Sequence, residues 1–231
     1  MKHLLEALLN LLFPPKCPFC GKVLETPGIC PACEKALPWT AETEGLRQGP
    51  GGLRCAAPLW YEGLTREGLL RFKFQGASAA AESLGELVAR CAAERFSGEF
   101  DAVTWVPVSK KRLRKRGYDQ AKLLAESACR RWDTKPVELL RKVADNPAQS
   151  GLTEAAARRA NVLGVYEALP EAEGKRVLLV DDICTTGATL TECVRVLKDA
   201  GAESVVCAAV ALTREKKVQK TGKKIGLHSG K

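Results

Sequence analysis

Fifteen residues, Arg176 to Leu190 (RVLLVDDICTTGATL), constrain the fold more than any other stretch of the chain. Val177 to Val180 form a short apolar run rich in β-branched residues, which suits a buried central strand. Asp181 and Asp182 follow where that strand should end. Next come Cys184, Thr185, Thr186, Gly187, Ala188 and Thr189, small residues whose backbone amides can crowd around one anion while the threonine hydroxyls add donors. An apolar helical pattern through Val194 and Leu197 then begins. The loop is thereby placed at a helix N-terminus, where unpaired N–H groups and the helix dipole favour negative charge. Strands alternating with helices along the rest of the chain predict an α/β fold, a mostly parallel sheet flanked by helices.

A helix N-terminus attracts one anion, whereas Asp181 and Asp182 need hydroxyl or metal partners; a sugar phosphate supplies both. The plainer alternative is a strand followed by a threonine-capped helix. A Walker loop and a GxGxxG dinucleotide turn are both absent from the sequence. The stretch resembles the 5-phosphoribosyl-1-pyrophosphate (PRPP) motif of type I phosphoribosyltransferases. That resemblance implies that Asp181 and Asp182 are the catalytic pair gripping the ribose 2′ and 3′ hydroxyls. It also implies that Cys184, Thr185, Thr186, Gly187, Ala188 and Thr189 hold the 5′-phosphate. The sequence contains only two histidines, His3 and His228, near its two ends, so no Ser-His-Asp set is apparent. Catalysis would rest on positioning and charge stabilisation, with Mg²⁺ accompanying PRPP.

Of the ten cysteines, Cys17, Cys20, Cys30 and Cys33 read C-x2-C-x9-C-x2-C. Four thiolates at this spacing can close a tetrahedral site, for which zinc is the expected metal; redox CxxC pairs and an iron–sulfur cluster are the alternatives. A ribbon this short cannot fold on apolar contacts alone, and metal binding supplies on the order of 10–16 kcal/mol in comparable fingers. The site is therefore expected to be structural. Ala41 to Gly52 is polar and Gly/Pro-bearing and reads as a linker, and Cys55 reads as a small core residue.

Further along, the pattern predicts strands over Ala56–Tyr61, Ala102–Val108 and Ser204–Leu212, helices over Leu64–Phe72 and Ala77–Ala93, and a helix that the Arg116–Ala121 segment starts and that runs through about Cys129. Lys73 falls in what reads as a solvated turn, with contact to an anion as the alternative. Val137–Leu140 is a brief apolar segment. The net charge of +9 is concentrated in two patches: residues 110–116 carry six basic side chains and no acid, and residues 214–231 carry seven basic and one acidic. The second patch lacks apolar periodicity and reads as a disordered tail. Leu4, Leu5, Leu8, Leu11 and Leu12 fit one face of an N-terminal helix. Glu6, Asn10 and the Pro14-Pro15 pair argue against export and membrane insertion.

Taken in order, the four-cysteine ribbon, the VPV strand with its basic loop, RGxxQA (Arg116 to Ala121), Gln149 with Leu152, Arg158 with Asn161, and VDDICTTGAT resemble the ComF family of competence-associated, type I phosphoribosyltransferase-like proteins. The resemblance implies three parts: an N-terminal helix, ribbon and linker (1–52), a phosphoribosyltransferase-like domain (53–213) and the basic tail (214–231). Ser109, Lys110 and Lys111, leaving the carboxyl end of a strand, are expected to hold pyrophosphate. Gln149, Arg158 and Asn161 are expected on a hood that closes over the site. The resemblance further implies cytoplasmic action in DNA uptake during natural transformation, with a helicase-like translocase as partner. Where the family pattern reads RGFNQ, this chain has RGYDQ, so Asp119 brings a carboxyl beside the pyrophosphate region; metal binding and pairing with Arg116 are both open to it. Two classes of function remain: a phosphoribosyltransferase of unknown acceptor, and a non-catalytic module that binds single-stranded DNA or a helicase while retaining the PRPP fold.

Overall fold

The computed structural model describes residues 14–74, 78–144 and 163–214. The N-terminal helix, the hood residues Gln149, Arg158 and Asn161, and the basic tail beyond Arg214 lie outside the described residues.

The main sheet has the order β1-β2-β8-β7-β4, formed by Leu46–Gly49, Leu53–Ala56, Ser204–Leu212, Arg176–Cys184 and Ala102–Trp105. Every pairing from β2 to β4 is parallel, and β1 joins β2 antiparallel through Leu46↔Ala56 and Gly49↔Leu53. A short β3, Leu59–Trp60, continues along β8 beyond β2. Pro58, which has no N–H to give a ladder, stands between the two. The strand expected over Ala56–Tyr61 is thus shifted and split.

The expected linker is a further correction: its second half forms β1 and a 3₁₀ turn at Pro50–Gly52. Its Gly/Pro content disguises a four-residue edge strand. β7 runs through both acids to Cys184 instead of ending at Val180, because β8 continues beside it as far as the Cys184↔Leu212 pair.

Helices cover both faces. Along β7, Leu178 and Val180 point into a core with Leu84, Val88 and Leu124, from α3 (Ala81–Arg95) and α5 (Gln120–Cys129). Val177 and Leu179 point to the opposite core, with Leu190, Val194 and Leu197 of α6 (Ala188–Asp199). Alternation along a strand buried on both sides accounts for the unbroken apolar run. A separate hairpin, β5 (Leu140–Lys142) and β6 (Tyr166–Ala168), packs on the α6 side.

The ribbon sits against α2, Gly63–Phe74. Phe19 is fully buried beside Leu69 and Phe72, and the Arg71 guanidinium donates to its carbonyl. The approach is close: a Cβ at Gly68 would stand 2.8 Å from the Pro18 carbonyl oxygen. Within the ribbon, α1 (Pro31–Ala36) starts at Cys30, whose sulfur accepts from the Cys33 amide at 3.4 Å. No helix among the described residues is long and apolar enough to cross a membrane.

Candidate functional site

Strands β4 and β7 run side by side up to the Trp105↔Val180 pair, and beyond it the sequence motifs come together. Asp181 and Asp182 lie in the second half of β7, and the Asp181 Oδ1 accepts from the Asp182 amide at 2.8 Å. Lys73, at the end of α2, reaches Asp182 with Nζ 2.8 Å from Oδ2, both side chains mostly buried. Lys73 therefore belongs to the site and not to a solvated turn. The protein packed around Asp181 and the neighbouring Asp182 carboxylate push Asp181 well above the usual carboxylate range, and Lys73 opposes them.

Beyond Cys184 the chain turns through Thr185, Thr186 and Gly187 into α6. Gly187 has φ +77°, and a Cβ there would lie 2.8 Å from Leu53 Cδ2. Both facts call for glycine. The carbonyls of this turn are tied down on one side. Arg47 of β1 donates to the carbonyls of Cys184, at 3.3 Å, and of Thr185, and also to that of Thr213. Thr213 in turn donates its hydroxyl to the Thr185 carbonyl at 3.1 Å and its amide to the Cys184 carbonyl at 3.1 Å. The Ala188 amide meets its neighbour's Thr186 Oγ1 at 3.4 Å. Among the described residues, the N–H groups of Thr185, Thr186 and Gly187 have no hydrogen-bond partner. Anchored carbonyls and free amides at the start of a 12-residue helix make a cradle suited to an anion.

The basic stretch after β4 is helical, forming α4 over Lys110–Arg116. Ser109 is its N-cap, its hydroxyl accepting from the Arg112 amide at 3.2 Å. A 150 Å³ cavity holds both acids and Thr189, and from α4 it brings in Arg112 and Arg116. Ser109 and Lys110 instead line a separate 910 Å³ cavity with Trp105 and Glu138. Lys111 is exposed. Of the basic residues of α4, the acid-pair cavity thus takes in Arg112 and Arg116, four apart and so on one helical face, and not the Lys110 and Lys111 expected from the sequence. Asp119 caps α5: Oδ2 accepts from the Val108 amide at 3.0 Å and Oδ1 from the Lys122 amide at 3.2 Å. Arg116 pairs with Gln120, not Asp119, donating to Oε1 at 2.7 Å.

Gln120, named in the sequence only within the RGxxQA segment, stands in the same cavity. It is 1% exposed, it lines the acid-pair cavity, and its Nε2 is buried with no hydrogen-bond partner. A buried amide donor left unmade is costly unless a ligand completes it. Lys142 and Tyr166, from the two strands of the hairpin, also line this cavity. Their signals were weak. Gln120 had its place in the RGxxQA segment, whereas Arg47, Lys142 and Tyr166 come in only through tertiary pairing.

In the ribbon, the sulfurs of Cys17, Cys20, Cys30 and Cys33 all lie within 4.8 Å of one another. Tetrahedral Zn²⁺ with Zn–S near 2.3 Å requires sulfurs about 3.8 Å apart, so the set fits a closed structural zinc site.

Comparison with known proteins agrees with both centres. Residues 87–228 match the family described as Phosphoribosyl transferase domain, and residues 8–66 the one described as Double zinc ribbon domain. The chain is 28% identical over 185 residues to Competence protein ComFC of Bacillus subtilis, covering 80% of this chain and 72% of that protein. It is 29% identical over 199 residues to Competence protein F of Haemophilus influenzae, covering 82% and 86%. Over 109 residues, 46% of each chain, it is 30% identical to DNA utilization protein YhgH of Escherichia coli O6:H1. A sheet carrying an acid pair and an anion cradle at its carboxyl edge, over the residues that the family model matches, goes with the conclusion that the chain belongs to the phosphoribosyl transferase domain family.

Proposed function

We propose that the chain binds PRPP with Mg²⁺ and transfers its phosphoribosyl group. The observation that carries this reading is the loop after the acid pair, whose carbonyls are held by Arg47 and Thr213 while the Thr185, Thr186 and Gly187 amides have no hydrogen-bond partner among the described residues. The 5′-phosphate takes those amides, with the hydroxyls of Thr185, Thr186 and Thr189; Cys184 and Ala188 complete the cradle. Asp181 and Asp182 take the ribose hydroxyls. Arg112 and Arg116 face the pyrophosphate, in place of the Lys110 and Lys111 expected from sequence, and the unpaired Gln120 Nε2 donates to the same ligand. Mg²⁺ carried by the pyrophosphate and ribose hydroxyls would offset the gathered negative charge.

Chemistry then needs little beyond positioning. As the C1′–O bond to pyrophosphate breaks, its electron pair leaves with the pyrophosphate, and Arg112 and Arg116 stabilise the charge that builds there. The Asp182 carboxylate beside the ribose stabilises the complementary positive charge on the sugar, while Asp181 hydrogen-bonds a ribose hydroxyl. Replacing both acids, D181N/D182N, should abolish PRPP binding in calorimetry. Undiminished affinity would reject the assignment.

The names of the relatives, in competence and DNA utilisation, support a place for this chain in the cytoplasmic handling of DNA taken up in transformation, with a helicase-like translocase as partner. A second reading rests on α4. Its six basic side chains form no ion pair with a carboxylate among the described residues, which suits single-stranded DNA phosphates. Under that reading the chain is a binding module that retains the PRPP fold, and its DNA affinity falls steeply between about 50 and 200 mM salt. Affinity flat across that range would exclude it.

A further inference from the structure

Thr213, which holds two carbonyls of the turn after the acid pair, stands one residue beyond the end of β8. The last ladder pairs of that strand are Cys184↔Leu212 on the β7 side and Trp60↔Leu212 on the β3 side. Past Leu212 the sheet no longer sets the direction of the chain. Arg47 grips the Thr213 carbonyl from β1, and a second grip comes from the following residue.

Arg214 lays its guanidinium against the Trp60 ring, 4.4 Å from the centroid. The same group reaches the Glu62 carboxylate at two points, Nη2 to Oε1 at 3.1 Å and Nε to Oε2 at 3.2 Å. A forked contact of this kind fixes orientation as well as distance. The platform beneath it is firm. Trp60 is buried, its amide donates to the Pro38 carbonyl at 2.8 Å, and the Tyr61 amide donates to the Leu212 carbonyl at 2.7 Å. Two consecutive residues therefore bridge the two neighbours of β8. Thr213 reaches the turn after β7, and Arg214 is tied to β3 and the residues after it.

We infer that Arg214 is a positioning residue for the phosphate cradle. Clamped to Trp60 and Glu62, it fixes the backbone of Thr213, whose amide and hydroxyl then hold the Cys184 and Thr185 carbonyls and leave the amides of the turn for the ligand. The inference rests on the PRPP reading and deepens it, because it assigns the clamp to the 5′-phosphate end of the ligand alone. The pyrophosphate end faces α4, a different element. Both partners of the ion pair are half exposed, so the clamp adds little to global stability and acts locally.

Calorimetry on the full chain with Mg²⁺ tests this, with PRPP, ribose 5-phosphate and pyrophosphate titrated separately. R214A should weaken PRPP and ribose 5-phosphate about fivefold each, the equivalent of about one net hydrogen bond. It should leave pyrophosphate affinity and the melting temperature unchanged. R214K, which keeps the charge and loses the fork, should recover part of the loss. T213V, which removes the hydroxyl donor to the Thr185 carbonyl, should cost a similar factor. In R214A/T213V the two losses should not add, because both act through one hydroxyl. Additive losses, equal weakening of all three ligands, or PRPP affinity unchanged in R214A would each overturn the inference and leave the PRPP reading standing. An unsubstituted chain that binds neither PRPP nor ribose 5-phosphate would overturn that reading, and the role of the clamp with it.

Discussion

Asp181 is held in an environment that disfavours its charge, and this has consequences for stability as well as binding. Its raised titration, caused by the surrounding protein and by Asp182, means that the folded chain keeps a proton which the unfolded chain releases above about pH 4. Stability contributed in this way is present at low pH and lost as pH rises from the unfolded value through the folded one. D181N should therefore raise the melting temperature more at about pH 8 than at about pH 5, while removing PRPP binding; an unchanged melting temperature at both would contradict the assigned environment. Lys73 works in the opposite direction. K73M removes the 2.8 Å partner of Asp182 and the cation that opposes the upward shift of Asp181, so PRPP affinity should fall and its rise with pH should move to higher pH. K73R should restore part of both, and calorimetry across the pH range reads them. These roles were only partly legible beforehand. Two acids before a threonine-glycine turn announce themselves in one dimension. A lysine more than a hundred positions away is indistinguishable from any surface lysine until α2 is docked.

At the scale of elements, the turn between β7 and α6 depends on an edge strand that looks like a linker in the sequence. β1 is four residues long and runs into Pro50, yet it supplies Arg47 to the carbonyls of Cys184, Thr185 and Thr213. Hydrogen bonds to a charged donor contribute about 1.5–3 kcal/mol each, so R47A should destabilise the fold by about that amount and weaken PRPP binding; thermal melts and calorimetry on one preparation check both. Gly187 is bound by a different constraint. G187A forces a positive φ on alanine, at a cost of roughly 1–2 kcal/mol, and meets Leu53 as well. A companion L53A should relieve the steric part and leave the backbone part. Pattern reading located β8 over the residues it occupies, because an uninterrupted buried run carries its own boundaries, and it located the end of α5 but not its first residue, which follows the Asp119 cap. It stopped β7 early because polar acids look like a strand end, although the ladder with β8 carries them inside it.

For the whole molecule, the ribbon and the site are linked through α2. Phe19 packs on Leu69 and Phe72, and the same helix delivers Lys73 to Asp182. Stripping zinc with a chelator should therefore melt the ribbon, lower the stability of the remainder and reduce PRPP affinity, although every ligand-facing residue is intact. PRPP affinity unchanged in the zinc-free protein would show that the two modules are energetically separate. The central claim is that β7 and the turn after it form a phosphoribose clasp. A crystal structure of the chain with PRPP and Mg²⁺ tests it most directly. The account predicts the 5′-phosphate on the amides of Thr185, Thr186 and Gly187, with the ribose hydroxyls on Asp181 and Asp182. PRPP bound along α4 alone, with those amides still unoccupied, would contradict it.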